Sequence, residues 1–136
     1  MRVLFVAIGA CALTGGAAGA QDYPDMRGTW TGTSDAVFVG TAAYYQQGTT
    51  PAEFGSSPVE VRIDQQEGRR FAGAVTIENW TKPLVAIFSS DTTIIWAEPG
   101  GAVEARLVDS DTLDYCYLRS AQYQQVAACA ELKRQD

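Results

Sequence analysis

Val59-Glu60-Val61-Arg62-Ile63-Asp64, a turn at Gln66-Glu67-Gly68-Arg69, then Phe71-Ala72-Gly73-Ala74-Val75-Thr76-Ile77-Glu78: the reading of this stretch decides the fold. Val59, Val61 and Ile63 alternate with three charged residues. Phe71, Gly73, Val75 and Ile77 alternate with Ala72, Ala74, Thr76 and Glu78. A period of two puts one set on a buried face and the other in water, so both segments read as half-buried strands. The short polar link between them makes an antiparallel hairpin.

The pattern spreads both ways from there. Asn79-Trp80-Thr81-Lys82-Pro83 reads as a turn, residues 84–88 as a continuously apolar strand, and Ser89-Ser90-Asp91 as another turn. Residues 93–97 form a strand carrying Trp96, and Glu98-Pro99-Gly100-Gly101 is a strong turn. Val103, Ala105 and Leu107 alternate with Glu104, Arg106 and Val108. After Asp109-Ser110-Asp111, residues 113–119 and 125–134 close the chain. Upstream, residues 27–34 make a strand rich in Thr and Trp, continued past a bulge by residues 36–40. Residues 41–58 are polar and bear Gly and Pro, which reads as one long loop. Helical periodicity is nearly absent. Eight strands with short links and no crossover helices predict an all-β, single-domain, antiparallel up-and-down barrel over residues 21–136, whose closure removes exposed edges. A two-sheet sandwich is the alternative.

The first twenty residues have a different character. Arg2 supplies a positive charge, about eleven apolar residues follow from Val3, and small residues end in Ala18-Gly19-Ala20. This is the layout of a secretory signal peptide over residues 1–20, and the apolar run falls short of the roughly 20 residues that span a bilayer. The expected product is exported, periplasmic or extracellular, begins at Gln21 and has no membrane span. Ile8-Gly9-Ala10-Cys11 loosely resembles a lipobox, but only Val3 to Ile8 would precede it as apolar region, so lipid anchoring at Cys11 is disfavoured.

Removal of that segment leaves about 116 residues, enough for one domain with its own core. Nine basic side chains then stand against sixteen acidic ones, a charge that repels nucleic acid and anionic lipid and favours basic partners. The chain has no histidine. Ser-His-Asp and Cys-His nucleophile systems and the usual His-containing zinc sites are thereby excluded. No carboxylate pair can be assigned as acid and base; the acids Asp64, Glu67, Asp91, Asp109 and Asp111 lie in or beside turns, where Asp has local hydrogen-bonding reasons to be. No catalytic residue, metal site or cofactor is expected, and the protein reads as a non-enzyme.

Loss of Cys11 also leaves an even pair, Cys116 and Cys129, which an oxidising compartment joins in a disulfide. Setting the two opposite each other registers the last hairpin. Leu113 then faces Leu132, Tyr115 faces Ala130, Tyr117 faces Ala128 and Arg119 faces Val126, all on one face, apolar apart from Arg119. A slip of one residue would destroy that face. The bond closes a loop of about fourteen residues, contributing roughly 3 kcal/mol by chain entropy.

Gly28-Thr29-Trp30 on the first strand resembles the calycin pattern shared by lipocalins and avidins. The resemblance implies that Trp30 closes one barrel end and packs under a basic residue of the last strand, for which Arg134 is suitably placed, both in structural roles. The second lipocalin motif, T-D-Y, has no good counterpart in Thr112-Leu113-Asp114-Tyr115, and no avidin ligand site can be carried across. The chain also resembles small, uncharacterised exported bacterial proteins that open with a GTWTGT-type strand and end in a cysteine hairpin. That likeness implies a fold and no activity.

The candidate ligand-binding residues are Tyr44, Tyr45, Trp80, Tyr115, Tyr117 and Arg119. Tyr44 and Tyr45, with Gln46 and Gln47, lie in the long loop, where they either cap a barrel mouth or pack on its rim. Trp80 reads as a turn aromatic that lines a mouth or covers the core. Asn79-Trp80-Thr81 fits a glycosylation sequon, a chance match beside a bacterial-type signal. Tyr115, Tyr117 and Arg119 point inward, where their polar groups serve an internal network or anchor a ligand, Arg119 suiting a carboxylate. Tyr123, among Gln122, Gln124 and Gln125, tips the stapled hairpin as a partner contact or an ordinary turn. Two functions lead: an exported binding barrel for an apolar or aromatic small molecule, and an acidic inhibitor or accessory factor of a basic cell-wall hydrolase such as lysozyme.

Overall fold

The structure, a computed structural model, describes residues 22–40, 51–122 and 124–136. The expected signal peptide with Cys11, the loop residues Tyr44, Tyr45, Gln46 and Gln47, and Tyr123 lie outside the described residues. The strands are β1 (Gly28–Val39), β2 (Glu53–Glu67), β3 (Arg70–Ile77), β4 (Trp80–Phe88), β5 (Thr93–Glu98), β6 (Gly101–Asp109), β7 (Thr112–Ala121) and β8 (Gln124–Arg134). Each pairs antiparallel with the next, and β8 returns to β1, so the eight strands close into one up-and-down barrel. This is the expected all-β architecture, and it excludes the sandwich. No helix among the described residues is long and apolar enough to cross a membrane.

The last hairpin has the expected register. Leu113 pairs with Leu132, Tyr115 with Ala130, Tyr117 with Ala128 and Arg119 with Val126. Cys116 and Cys129 are bonded across the outer face, their Cα atoms 4.1 Å apart. Tyr115 and Tyr117 on β7 face alanines on β8, and the next strand continues the small wall: Ala130 pairs with Ser34, and Ala128 with Ala36.

Three boundaries differ from the sequence reading. β1 runs unbroken from Gly28 to Val39, with regular pairing to β2 across Ser34 and Asp35 instead of a bulge. Residues 53–58 belong to β2, paired with β1, rather than to the long loop. Trp80 is not in a turn. It opens β4 opposite Ile77, and the turn is only Glu78-Asn79. The two added stretches share a cause. Pairing of β2 with β3 begins at Val59, and pairing of β4 with β5 begins at Val85, so residues 53–58 and 80–84 have a strand neighbour on one side only. A proline is tolerated in such a flank, and Pro58 and Pro83 lie there; they made the segments read as loop.

Chain direction puts the N-terminal segment, the ends of β2, β4, β6 and β8 and their turns at one end of the barrel. The end of β1 and the turns β3–β4, β5–β6 and β7–β8 lie at the other. The first end is plugged. Trp30, Met26, Phe88, Ile94, Leu113 and Leu132 are fully buried there, with Tyr23 stacked on Phe88 at 5.3 Å between centroids. Burial of each large apolar side chain contributes about 1.5–3 kcal/mol. The Trp30 indole N–H donates to the Met26 carbonyl at 3.0 Å, and the Met26 N–H donates to Gln66 Oε1 at 2.7 Å. Arg134 lies over the Trp30 ring, 4.1 Å from its centroid, and donates to the carbonyls of Arg27, Asp25 and Ser110. Gly28, at φ +129°, is where a side chain would crowd that guanidinium: a Cβ there would lie 3.4 Å from it.

Candidate functional site

The opposite end is built differently. Continuing the inward alternation of β4 (Phe88, Ala86, Leu84) back toward the strand start brings Lys82 inward. Continuing that of β5 (Ile94, Trp96) forward brings Glu98 inward, and that of β7 (Leu113, Tyr115, Tyr117) brings Arg119. All three are partly buried. Lys82 and Arg119 line a cavity of about 540 Å³ at the barrel mouth, together with Val75, Ile77, Trp80 and Gln124. Glu78 stands at its edge, accepting a hydrogen bond from Ser57 Oγ at 2.8 Å. It is the one non-glycine residue with positive φ, +54°, among the described residues.

These groups form one connected cluster. Burial pushes the Glu98 carboxyl above its usual range, and Lys82 and the Trp96 N–H draw it partly back. The Lys82 amine sits 5.8 Å from the Tyr117 ring centroid. Burial raises the Tyr117 and Tyr115 phenols, and the Glu98 charge raises both further; Arg119 opposes this at Tyr117 and Ser34 at Tyr115. Trp96 and Tyr115 stack at 5.4 Å between centroids. The tight β5–β6 turn makes room for the cluster. The Tyr117 ring occupies the space a Cβ on Gly101 would need, and the Arg119 guanidinium comes within 3.0 Å of where a Cβ on Gly100 would lie.

Hydrogen bonding is incomplete here. Trp96 Nε1, Tyr115 OH and Arg119 Nε are buried and have no hydrogen-bond partner among the described residues. The Trp96 N–H lies near Glu98, and the Tyr115 hydroxyl near Ser34, close enough to influence each titration yet without a well-formed bond. Leaving such a group unpaired costs about 1–3 kcal/mol. Trp96 and Tyr115 are 1% and 3% exposed, so bulk water does not satisfy them.

The candidate residues thus separate. Tyr115, Tyr117 and Arg119 project inward and belong to the cluster. Trp80 is 73% exposed and forms the cavity's outer lip. Trp30 and Arg134 meet at the plugged end. Ser34, Lys82, Trp96 and Glu98 were missed as functional residues. The signal for Lys82 and Glu98 was the alternation itself, carried one step into segments that look like turns. A larger depression of about 820 Å³ is lined by outward-facing Val85, Ile95 and Ala97 and also by Phe71, Ala86 and Trp96 of the interior. It is shallow, and its charged groups, Glu67 and Arg70, are exposed and paired with each other, so the mouth holds the more demanding chemistry. No group of three or more Cys, Asp or Glu side chains among the described residues is arranged to hold a metal ion. Comparison with protein-family models and with curated proteins finds no match, so the geometry of the mouth stands as the ground for a functional reading.

Proposed function

We propose that this protein is an exported binding barrel that holds a small molecule with an apolar or aromatic body in its mouth, and that it is not an enzyme. One observation carries the reading. Among the described residues, a cavity of about 540 Å³ opens at the mouth with Lys82 and Arg119 in its lining, and Arg119 brings a buried Nε that has no partner. That volume falls in the range of small-molecule sites, and an apolar lining with a few convergent polar groups is their usual composition. Val75, Ile77 and the Trp80 indole offer the body of a ligand its contact surface. The disulfide, which pins β7 to β8, keeps the Tyr115–Arg119 wall rigid, and rigidity limits the ordering cost of binding.

Titration with the uncharged dye Nile red tests the site. The expected result is a 1:1 complex, weakened about five- to tenfold by Trp80→Ala through loss of one aromatic contact. No binding, or binding indifferent to both Trp80→Ala and Ile77→Glu, overturns the reading. For export, the mature protein recovered from outside the cytoplasm should begin at Gln21.

A further inference from the structure

The charged groups that line the mouth bear on the chemistry of its ligand. Of the unpartnered buried atoms, Arg119 Nε belongs to a residue that lines the cavity, and it can only donate. Charge shows the same bias. Lys82 and Arg119 both face the cavity, whereas the cluster contains one interior carboxylate, Glu98, which interacts with Lys82. The acid in the cavity's lining, Glu78, is exposed on its turn and engaged by Ser57. In a chain of formal net charge −6, the lining of this cavity thus carries two cations, Lys82 and Arg119, against one acid, Glu78.

We infer that the mouth selects amphipathic monocarboxylates, with Arg119 as the anchor of the acid group, Lys82 beside it, and Val75, Ile77 and Trp80 holding the apolar body. The inference rests on the reading of the mouth as a ligand site. A guanidinium presents parallel N–H groups that fit the two oxygens of a carboxylate, and such charge-assisted bonds are roughly twice as strong as neutral ones. Arg119 has a partly buried head and an unused Nε donor, so its desolvation cost is already met in the free protein. A cationic ligand would instead have to displace Lys82 from Glu98 and would leave Arg119 unsatisfied. An uncharged ligand of the same shape would fill the apolar part and leave the donors bare.

Calorimetric titration at pH 7.5 and low salt with three matched probes tests this: 4-phenylbutyrate, 4-phenylbutan-1-ol and 4-phenylbutylamine. The acid should bind at least about tenfold more tightly than the alcohol, the difference one charged hydrogen-bonded contact makes, and the amine should bind weakest. Arg119→Met should bring the acid down to the level of the alcohol and leave the alcohol unchanged. Arg119→Lys should retain part of the preference, and Lys82→Met should weaken the acid less than Arg119→Met does. Equal binding of acid and alcohol, or tightest binding of the amine, overturns the carboxylate inference while leaving the mouth a ligand site. Failure of all three probes at millimolar concentration, with Nile red still bound in a Trp80-dependent way, does the same. Failure of Nile red as well removes the site itself.

Discussion

At the plugged end of the barrel, the Trp30 indole N–H, the Gln66 amide and the Arg134 guanidinium all have partners. At the mouth, the Trp96 indole N–H, the Tyr115 hydroxyl and the Arg119 Nε have none among the described residues. The two ends use the same residue types, a tryptophan, an aromatic neighbour and an arginine, in opposite ways. At the plugged end the side chains answer one another and the interior is filled, so the free energy gained goes into stability. At the mouth Lys82 interacts with Glu98 and Arg119 with Tyr117, yet three buried polar atoms are left without partners among the described residues. The difference separates residues that hold the barrel shut from residues kept available for something else.

The largest expected effect lies at the plugged end. Trp30→Ala removes a fully buried indole and its hydrogen bond and should cost about 3–5 kcal/mol in urea denaturation. A loss below about 1 kcal/mol would show that the N-terminal segment, rather than Trp30, carries that end.

The two arginines sharpen the contrast. Arg134→Met loses the stacking on Trp30 and several hydrogen bonds to carbonyls and should cost about 2 kcal/mol. Arg119→Met should cost less, below about 1 kcal/mol, because its buried Nε has no partner among the described residues and only the interaction with Tyr117 is lost. Equal costs in the same denaturation experiment would break the comparison. Tyr115→Phe extends it. Removal of an unpartnered buried hydroxyl should leave stability unchanged or raise it by up to about 1 kcal/mol.

The smallest effects are in pH dependence, and the two ends should differ in sign. Glu98 has its carboxyl raised by burial. The folded state then holds that proton more tightly than the unfolded state, so stability falls as pH rises through the window above the ordinary value of 4.5. Glu98→Gln should therefore be more stable than the parent at pH 7, and the gap should close as pH falls to about 4. Asp25, beside the plugged end, is lowered to about 2 by Arg27. Its contribution is present above its ordinary 3.8 and is lost as pH falls toward 2. It is exposed, so added salt should shrink it. Denaturation of Glu98→Gln and Asp25→Asn between pH 2 and 8 would reveal a shared sign, if there is one, and that would contradict the contrast.

The same contrast explains how far the fold could be read from the residues. Where the interior is packed, inward positions are apolar, and Val59, Val61, Ile63 or Val103, Ala105, Leu107 alternate plainly with polar neighbours. Near the mouth the inward positions are Lys82, Glu98, Ser57 and Arg119. Hydropathy no longer distinguishes inside from outside there, so residues 53–58 and 80–83 resemble loop and Glu98 resembles the start of a turn. The last hairpin escaped this because Cys116 and Cys129 fixed its pairing independently of hydropathy, and it brought Tyr115, Tyr117 and Arg119 into view. The partners that complete the cluster lie on strands without such a marker. Their inward direction depends on packing across the barrel, which a local pattern does not record.

The one-sided stretches of β2 and β4 have a further consequence, for how the molecule behaves in company. A barrel normally offers neighbouring molecules no open strand edge, but, among the described residues, 53–58, 80–84 and 119–121 have a strand neighbour on one side only at the rim of the mouth. The first two contain a proline, Pro58 and Pro83, which has no N–H to lend to an incoming strand. Those two stretches therefore offer an incoming strand an interrupted edge. Crowded solutions of a Pro58→Val/Pro83→Val double variant are where that safeguard would be missed.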